Sequence, residues 1–104
     1  MQTQEETGHR QWLAELHRLE GIALLGLNEL EDAESALHQA LRVARRQKAK
    51  AYELRAARNL GRLWAEQRRR VEARDLLQPV YGWFTEGFDT TDLKEAKALL
   101  DELA

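Results

Sequence analysis

Gly21 and Gly61 stand 40 residues apart, and each is followed twelve residues later by an alanine, Ala33 and Ala73. Arg18 and Arg58 share the 40-residue offset, as do Leu37 and Leu77. Apolar character is kept at Leu24/Trp64, Ala36/Leu76, Ala40/Val80, Leu41/Tyr81, Val43/Trp83 and Ala44/Phe84. A fixed offset over so many positions is the signature of a repeat array. A glycine on one helix and an alanine on the next let two antiparallel helices approach closely, because neither puts bulk at the contact. The chain is therefore constrained to stacked helix pairs. The stretch Leu60-Gly61-Arg62-Leu63-Trp64, with Ala73 after it, is the clearest copy. Leucine in place of Gly61 is expected to cost about 2 kcal/mol or more by overpacking.

Composition agrees with an all-α chain. Ala, Leu, Glu, Arg, Gln and Lys dominate, and these are the strong helix formers. There is one proline, Pro79, and β-branched residues are few. A length of 104 residues predicts one domain. Without cysteine there is no disulfide or thiolate chemistry, which fits a reducing, cytoplasmic setting. Met1 to Arg10 is too polar for a signal peptide. The longest apolar run, Ile22 to Leu27, is far too short to span a membrane.

Residues 1–8 read as a flexible tail. A first helix is predicted from about His9 to Gly26, with Trp12, Leu16, Leu19, Ala23 and Leu27 on one face. A second runs from about Leu30 to Gln47, with Ala33, Ala36, Leu37, Ala40, Leu41, Val43 and Ala44 inward. The third, about Ala51 to Gln67, and the fourth, about Val71 to Thr85, repeat the pair. Pro79 is expected to kink the fourth helix, and Gly87 to end it in the left-handed conformation. Asp89-Thr90-Thr91-Asp92 supplies N-cap candidates for a last helix, about Asp92 to Leu103, and Asp92 and Glu95 stand at capping-box spacing. Ala96, Leu100 and Leu103 fall 40 after Ala56, Leu60 and Leu63, so this helix is the truncated start of a third repeat. The expected organisation is repeat one over 9–47, repeat two over 51–86 and a capping helix over 92–103.

The glycine-to-alanine spacing resembles that of tetratricopeptide repeats, although a period of 40 exceeds the usual 34 or so. Two segments carry a more specific likeness. They are Trp12-x-Ala14-Glu15-Leu16-x-Arg18-x-x-Gly21 and Pro79 to Asp89, with Leu93-Lys94-Glu95-Ala96-Lys97 following. They resemble the C-terminal tail of bacterial multidomain proteins that carry a class III adenylate/guanylate cyclase-type domain and an AAA-like ATPase module. That resemblance, covering roughly residues 10–104, implies an interaction or regulatory module of a larger signalling protein. It implies no catalysis, since cyclase and P-loop residues are missing from the chain. Glu20 and Arg68 depart from the repeat pattern, which favours an apolar residue and a glycine there.

Charge is segregated. Residues 1–41 carry two Arg against eight Asp/Glu, 42–74 carry twelve Lys/Arg against three Glu, and 75–104 carry two Lys against seven Asp/Glu. The basic segment 42–74 is the signature a nucleic-acid binder would show. The acidic flanks favour pairing within the protein instead. No enzyme, metal or cofactor is expected: His9, His17 and His38 lack ligand spacing, and no nucleophile triad or phosphate loop is present.

The resemblance places the first helix of each pair along a concave groove. It thereby makes Arg18, Ile22, Arg55, Arg58, Asn59 and Arg62 candidates for holding an acidic peptide or a free carboxylate. The competing expectation is that these arginines pair within the chain. Self-association as a homodimer is the alternative role, since repeat arrays generally need about three units. Trp12, Leu13 and Leu16 are its candidate surface. Tyr81, Trp83, Phe84 and Phe88 are expected to form a bed for the last helix.

Overall fold

A computed structural model describes the backbone of residues 2–88 and 90–104, and side chains from Trp12 onward except at 89. The side chains of residues 2–11, His9 among them, lie outside the described residues. Five helices follow in order: α1 (Gln2–Gly26), α2 (Leu30–Arg46), α3 (Lys50–Glu66), α4 (Arg70–Trp83) and α5 (Thr91–Leu103). Among the described residues the chain is all-helical, with no strand.

Three turns of three residues set the geometry. Helices α2, α3 and α4 begin at residues 30, 50 and 70, so each helix and its turn take a 20-residue step. Asn28, Lys48 and Arg68 have φ of 62°, 57° and 65°. In each turn the next residue's N–H reaches back to the helix: Glu29 to the Leu24 carbonyl at 2.9 Å, Ala49 to Ala44 at 2.9 Å, Arg69 to Trp64 at 2.8 Å. The left-handed residue itself donates to Leu25, Arg45 or Ala65 at 3.0–3.1 Å. These are Schellman caps, which satisfy the last carbonyls and reverse the chain. Lysine and arginine occupy left-handed sites that glycine or asparagine would hold with less strain.

Successive helices are antiparallel. Gly21 lies against Ala33 and Leu37, whereas Ala14, a turn or two earlier, packs with Val43 and Ala44. Each helix packs on the next, and α3 also touches both α1 and α5, while α2 and α4 do not pack on each other. The α3 contacts are parallel: Glu15 meets Arg55, Arg18 meets Asn59, and Arg62 meets Glu102. One layer is thus α1, α3 and α5, and α2 and α4 form the other. The core between them holds Leu37, Leu41, Leu54, Leu60, Leu77 and Leu99, all fully buried. Every residue expected to face inward on α2 is buried.

Four expectations are corrected. Helix α1 begins at Gln2, so the segment read as a flexible tail has helical backbone; its Gln and Glu residues favour helix, and Gly8 inside a helix costs only about 1 kcal/mol. Helix α4 ends at Trp83, with Phe84 already extended, so Gly87 (φ 79°) shapes the following loop rather than ending the helix. The cap of α5 is Thr90, one of the expected candidates, whose Oγ1 accepts from the Leu93 N–H at 3.4 Å; Asp92 lies inside the helix, so the Asp92–Glu95 capping box does not form. Last, the two glycines face Ala33 and Ala73 as expected but are not equally tight, so overpacking is expected at Gly21 rather than at Gly61. A Cβ on Gly21 would come within 2.8 Å of Leu37 Cγ; on Gly61 it would meet Leu99 Cδ2 at an ordinary 3.5 Å.

Candidate interaction surface

The candidate arginines lie together along the α1–α3–α5 layer, and each already holds an oxygen acceptor of the chain. Arg18 makes a two-pronged contact with Glu15, Nε at 2.8 Å and Nη2 at 2.9 Å, and donates through Nη1 to Asn59 Oδ1 at 3.1 Å. Arg55 bridges the layer, donating to Glu15 at 3.1 Å and to Asp92 at 2.8 Å. Arg58 pairs with Glu95 at 3.1 Å, and Arg62 with Glu102 at 2.8 Å. The four guanidinium groups therefore need no outside anion to relieve their mutual repulsion. Arg55 and Arg58 have no acidic residue one turn away on α3, and α5 supplies theirs. Asp92, Glu95 and Glu102 are the partners that reading the sequence helix by helix missed. Their offsets of 37 to 40 from the arginines were the available signal.

The electrostatics follow the pairing. The hydrogen bond from Arg18 holds the Glu15 carboxyl below the ordinary carboxylate value; partial burial opposes this, and the charge of Arg55 adds to it. Arg55 is raised further above the usual arginine range, first by its bond to Asp92 and then by the Glu15 charge. The rest of the basic segment is paired only in part, since Arg42, Arg46, Lys48, Arg68 and Arg74 have no carboxylate partner among the described residues. Arg45 and Lys50 share Glu53, Arg69 holds Glu72 and Glu34, and Arg70 reaches the Glu102 carbonyl. Half of the twelve cations are thus neutralised by carboxylates, which weakens the field a phosphate backbone would meet.

The apolar side of α1 is a different surface. Trp12, Leu16, Leu19, Ile22 and Leu27 are between 38% and 70% exposed. Ala23 and Gly26 are exposed among them. The helix buries instead Ala14 and Gly21, with Leu13 packed toward Val43, Ala44 and Tyr52. Leu13 is thus a core contact and not part of the outer surface. Leu19 and Leu27 belong there in its place. Ile22, one turn beyond Arg18, lies at the edge of this face rather than inside a groove. A helix with apolar residues on two sides is the sequence of a helix covered on both.

The aromatic group divides. Tyr81 and Phe84 pack against the core, whereas Trp83 and Phe88 are exposed. Among the described residues, no helix is long and apolar enough to cross a membrane. No protein-family model matches the chain, and no curated protein or solved structure matches it.

Proposed function

We propose that the chain is a non-catalytic protein-interaction module of tetratricopeptide-like helix pairs, and that it engages a second copy of itself through the outer face of α1. The observation that carries this is the exposed stripe of Trp12, Leu16, Leu19 and Ile22 on α1, continued by Leu27 in the turn after it. Apolar patches of this kind mark interaction sites.

A second copy is the occupant that the two ends of the layer favour. On α5, at the far end, Lys94, Lys97 and Asp101 are exposed, and Lys97 pairs with Asp101 at 3.2 Å. Head-to-tail stacking would bury those charges against the stripe. A two-fold contact sets apolar against apolar. With α1 antiparallel to its partner about the point between Leu16 and Leu19, each Trp12 faces the small residues Ala23 and Gly26 of the other copy. Bulk then meets space at both ends of a self-complementary contact. The likeness of the two quoted segments to a cyclase-type signalling tail supports the same class of role, a regulatory module within a larger bacterial protein. The acidic-peptide reading of Arg18, Arg55, Arg58 and Arg62 is the weaker one, because carboxylates of α1 and α5 already hold all four.

Light scattering across a concentration series tests the reading. The expected mass rises from 12.1 kDa toward twice that value. Leu16→Glu with Leu19→Glu should return the monomer without loss of helicity. A single 12.1 kDa species of the unmodified chain at all concentrations overturns self-association.

A further inference from the structure

A cleft of about 700 Å³ opens where the α2–α3 turn meets the end of α4, lined by Arg45, Lys48, Lys50, Glu53 and Trp83. Two of these residues differ from their equivalents at 20-residue steps along α2 to α5. The register Ala33, Glu53, Ala73 and Leu93 is buried throughout, and only Glu53, 5% exposed, is charged. Across α2 to α5 the register Val43, Leu63, Trp83 and Leu103 is buried except for Trp83, which is 57% exposed; on α1 the equivalent Ala23 is exposed as well. Packing explains neither departure, since a buried carboxylate needs cations and an exposed indole forgoes burial. Both residues face one cleft, and places where a residue breaks a local rule concentrate at functional sites.

The carboxylate organises the cations. Arg45 Nε donates to Glu53 Oε2 at 3.0 Å, and Lys50 Nζ lies 3.3 Å from Oε1. Lys50 Nζ also stands 5.4 Å from the centre of the Trp83 ring. Three cations against one carboxylate leave the cleft at +2. The terminal nitrogens of Arg45 and the ammonium of Lys48 have no carboxylate partner among the described residues. The volume lies within the range of small-molecule sites, about 300–1,000 Å³. An arginine fork matches a phosphate or carboxylate, and an exposed indole offers a face to a flat ring.

We infer that this cleft binds a small aromatic phosphate, its ring against Trp83 and its anionic group held by Arg45 and Lys48 beside Lys50. Glu53 is a positioning residue that fixes Arg45 and Lys50.

Calorimetric titration of the chain with adenosine monophosphate and with phenyl phosphate, against inorganic phosphate and adenosine, tests this. An aromatic phosphate is expected to bind about tenfold more tightly than inorganic phosphate. Trp83→Ala should erase that advantage, and Lys48→Asn, which keeps a side chain tolerant of the left-handed turn, should weaken binding about tenfold. Binding of the nucleotide alone narrows the ring to a nucleobase and upholds the inference. Aromatic phosphates no tighter than inorganic phosphate, or an advantage that survives Trp83→Ala in a chain of unchanged helicity, overturn it.

Discussion

Gly21 lies so close beneath Leu37 that a methyl group on it would come within 2.8 Å of Cγ and 2.9 Å of Cδ2. Leu37 is fully buried and has nowhere to swing. Alanine at 21 gains up to about 1 kcal/mol of helix propensity but meets overpacking of roughly 1–3 kcal/mol. Gly21→Ala is therefore expected to destabilise by about 1 kcal/mol. Gly61→Ala meets only ordinary contacts and keeps the propensity gain, so it should stabilise by about 0.5–1 kcal/mol. Urea melts of the two variants should shift in opposite directions; a shared direction would show that the two glycines do the same work.

The turns offer a second test. Arg68 holds φ 65° and Lys48 φ 57°, where a Cβ is strained. Arg68→Gly should raise stability by about 0.5–1 kcal/mol, the released strain exceeding the extra entropy of the unfolded chain. Asn28→Gly should change it less, because asparagine already tolerates this conformation. Thermal denaturation of the two variants side by side checks the order. Destabilisation by Arg68→Gly would mean that its side chain holds the turn.

The helical succession was legible because it rests on small residues at fixed offsets: Gly21 with Ala33, Gly61 with Ala73, and the α2 face from Ala33 to Ala44. What escaped was direction. Trp12, Leu16, Leu19, Ala23 and Leu27 recur at helical spacing, and periodicity finds such a face without saying whether anything covers it. Here the fully buried positions of α1 are Ala14 and Gly21, small residues whose role is to allow approach, and the leucines beside them, Leu13 and Leu25, are only partly buried. The arginine partners escaped for a related reason. Pairing rules within one helix reach three or four residues, whereas Arg55 and Asp92 are 37 apart and meet only once α3 and α5 lie parallel. Glu53 and Trp83 become conspicuous against the 20-residue step of single helices, half the 40-residue repeat.

Because Arg58 and Arg62 hold Glu95 and Glu102, an acidic peptide must displace those carboxylates before it can bind. Titration of a glutamate-rich peptide into the unmodified chain should give no saturable binding at about 0.15 M salt, where screening is strong. Glu95→Ala with Glu102→Ala frees both guanidinium groups, and weak, salt-sensitive binding should then appear. Both carboxylates are half-exposed, so the double variant should lose no more than about 1 kcal/mol of stability. Saturable binding by the unmodified chain that Arg58→Ala abolishes would restore the peptide-groove reading.

Acid should loosen the α1–α3 contact through Glu15. Its carboxyl is held below its ordinary value of about 4.5, first by the hydrogen bond from Arg18 and also by the charges of Arg18 and Arg55. A carboxyl whose value is lower folded than unfolded binds fewer protons in the folded chain. Its contribution is therefore complete above the unfolded value and falls away as pH drops through the folded one. Glu72 is shifted in the same direction by Arg69, but it is solvent-exposed, so screening leaves it little weight. At pH 7, Glu15→Gln should cost about 1–2 kcal/mol, because Arg18 and Arg55 lose a charged acceptor at a partly buried site. The gap between the two proteins should stay constant from pH 7 to about pH 5 and close below about pH 4 as Glu15 is protonated. Denaturation midpoints measured from pH 7 to pH 3 for both proteins test this. A gap that persists unchanged at pH 3 would assign the cost of Glu15→Gln to packing rather than to the ion pairs.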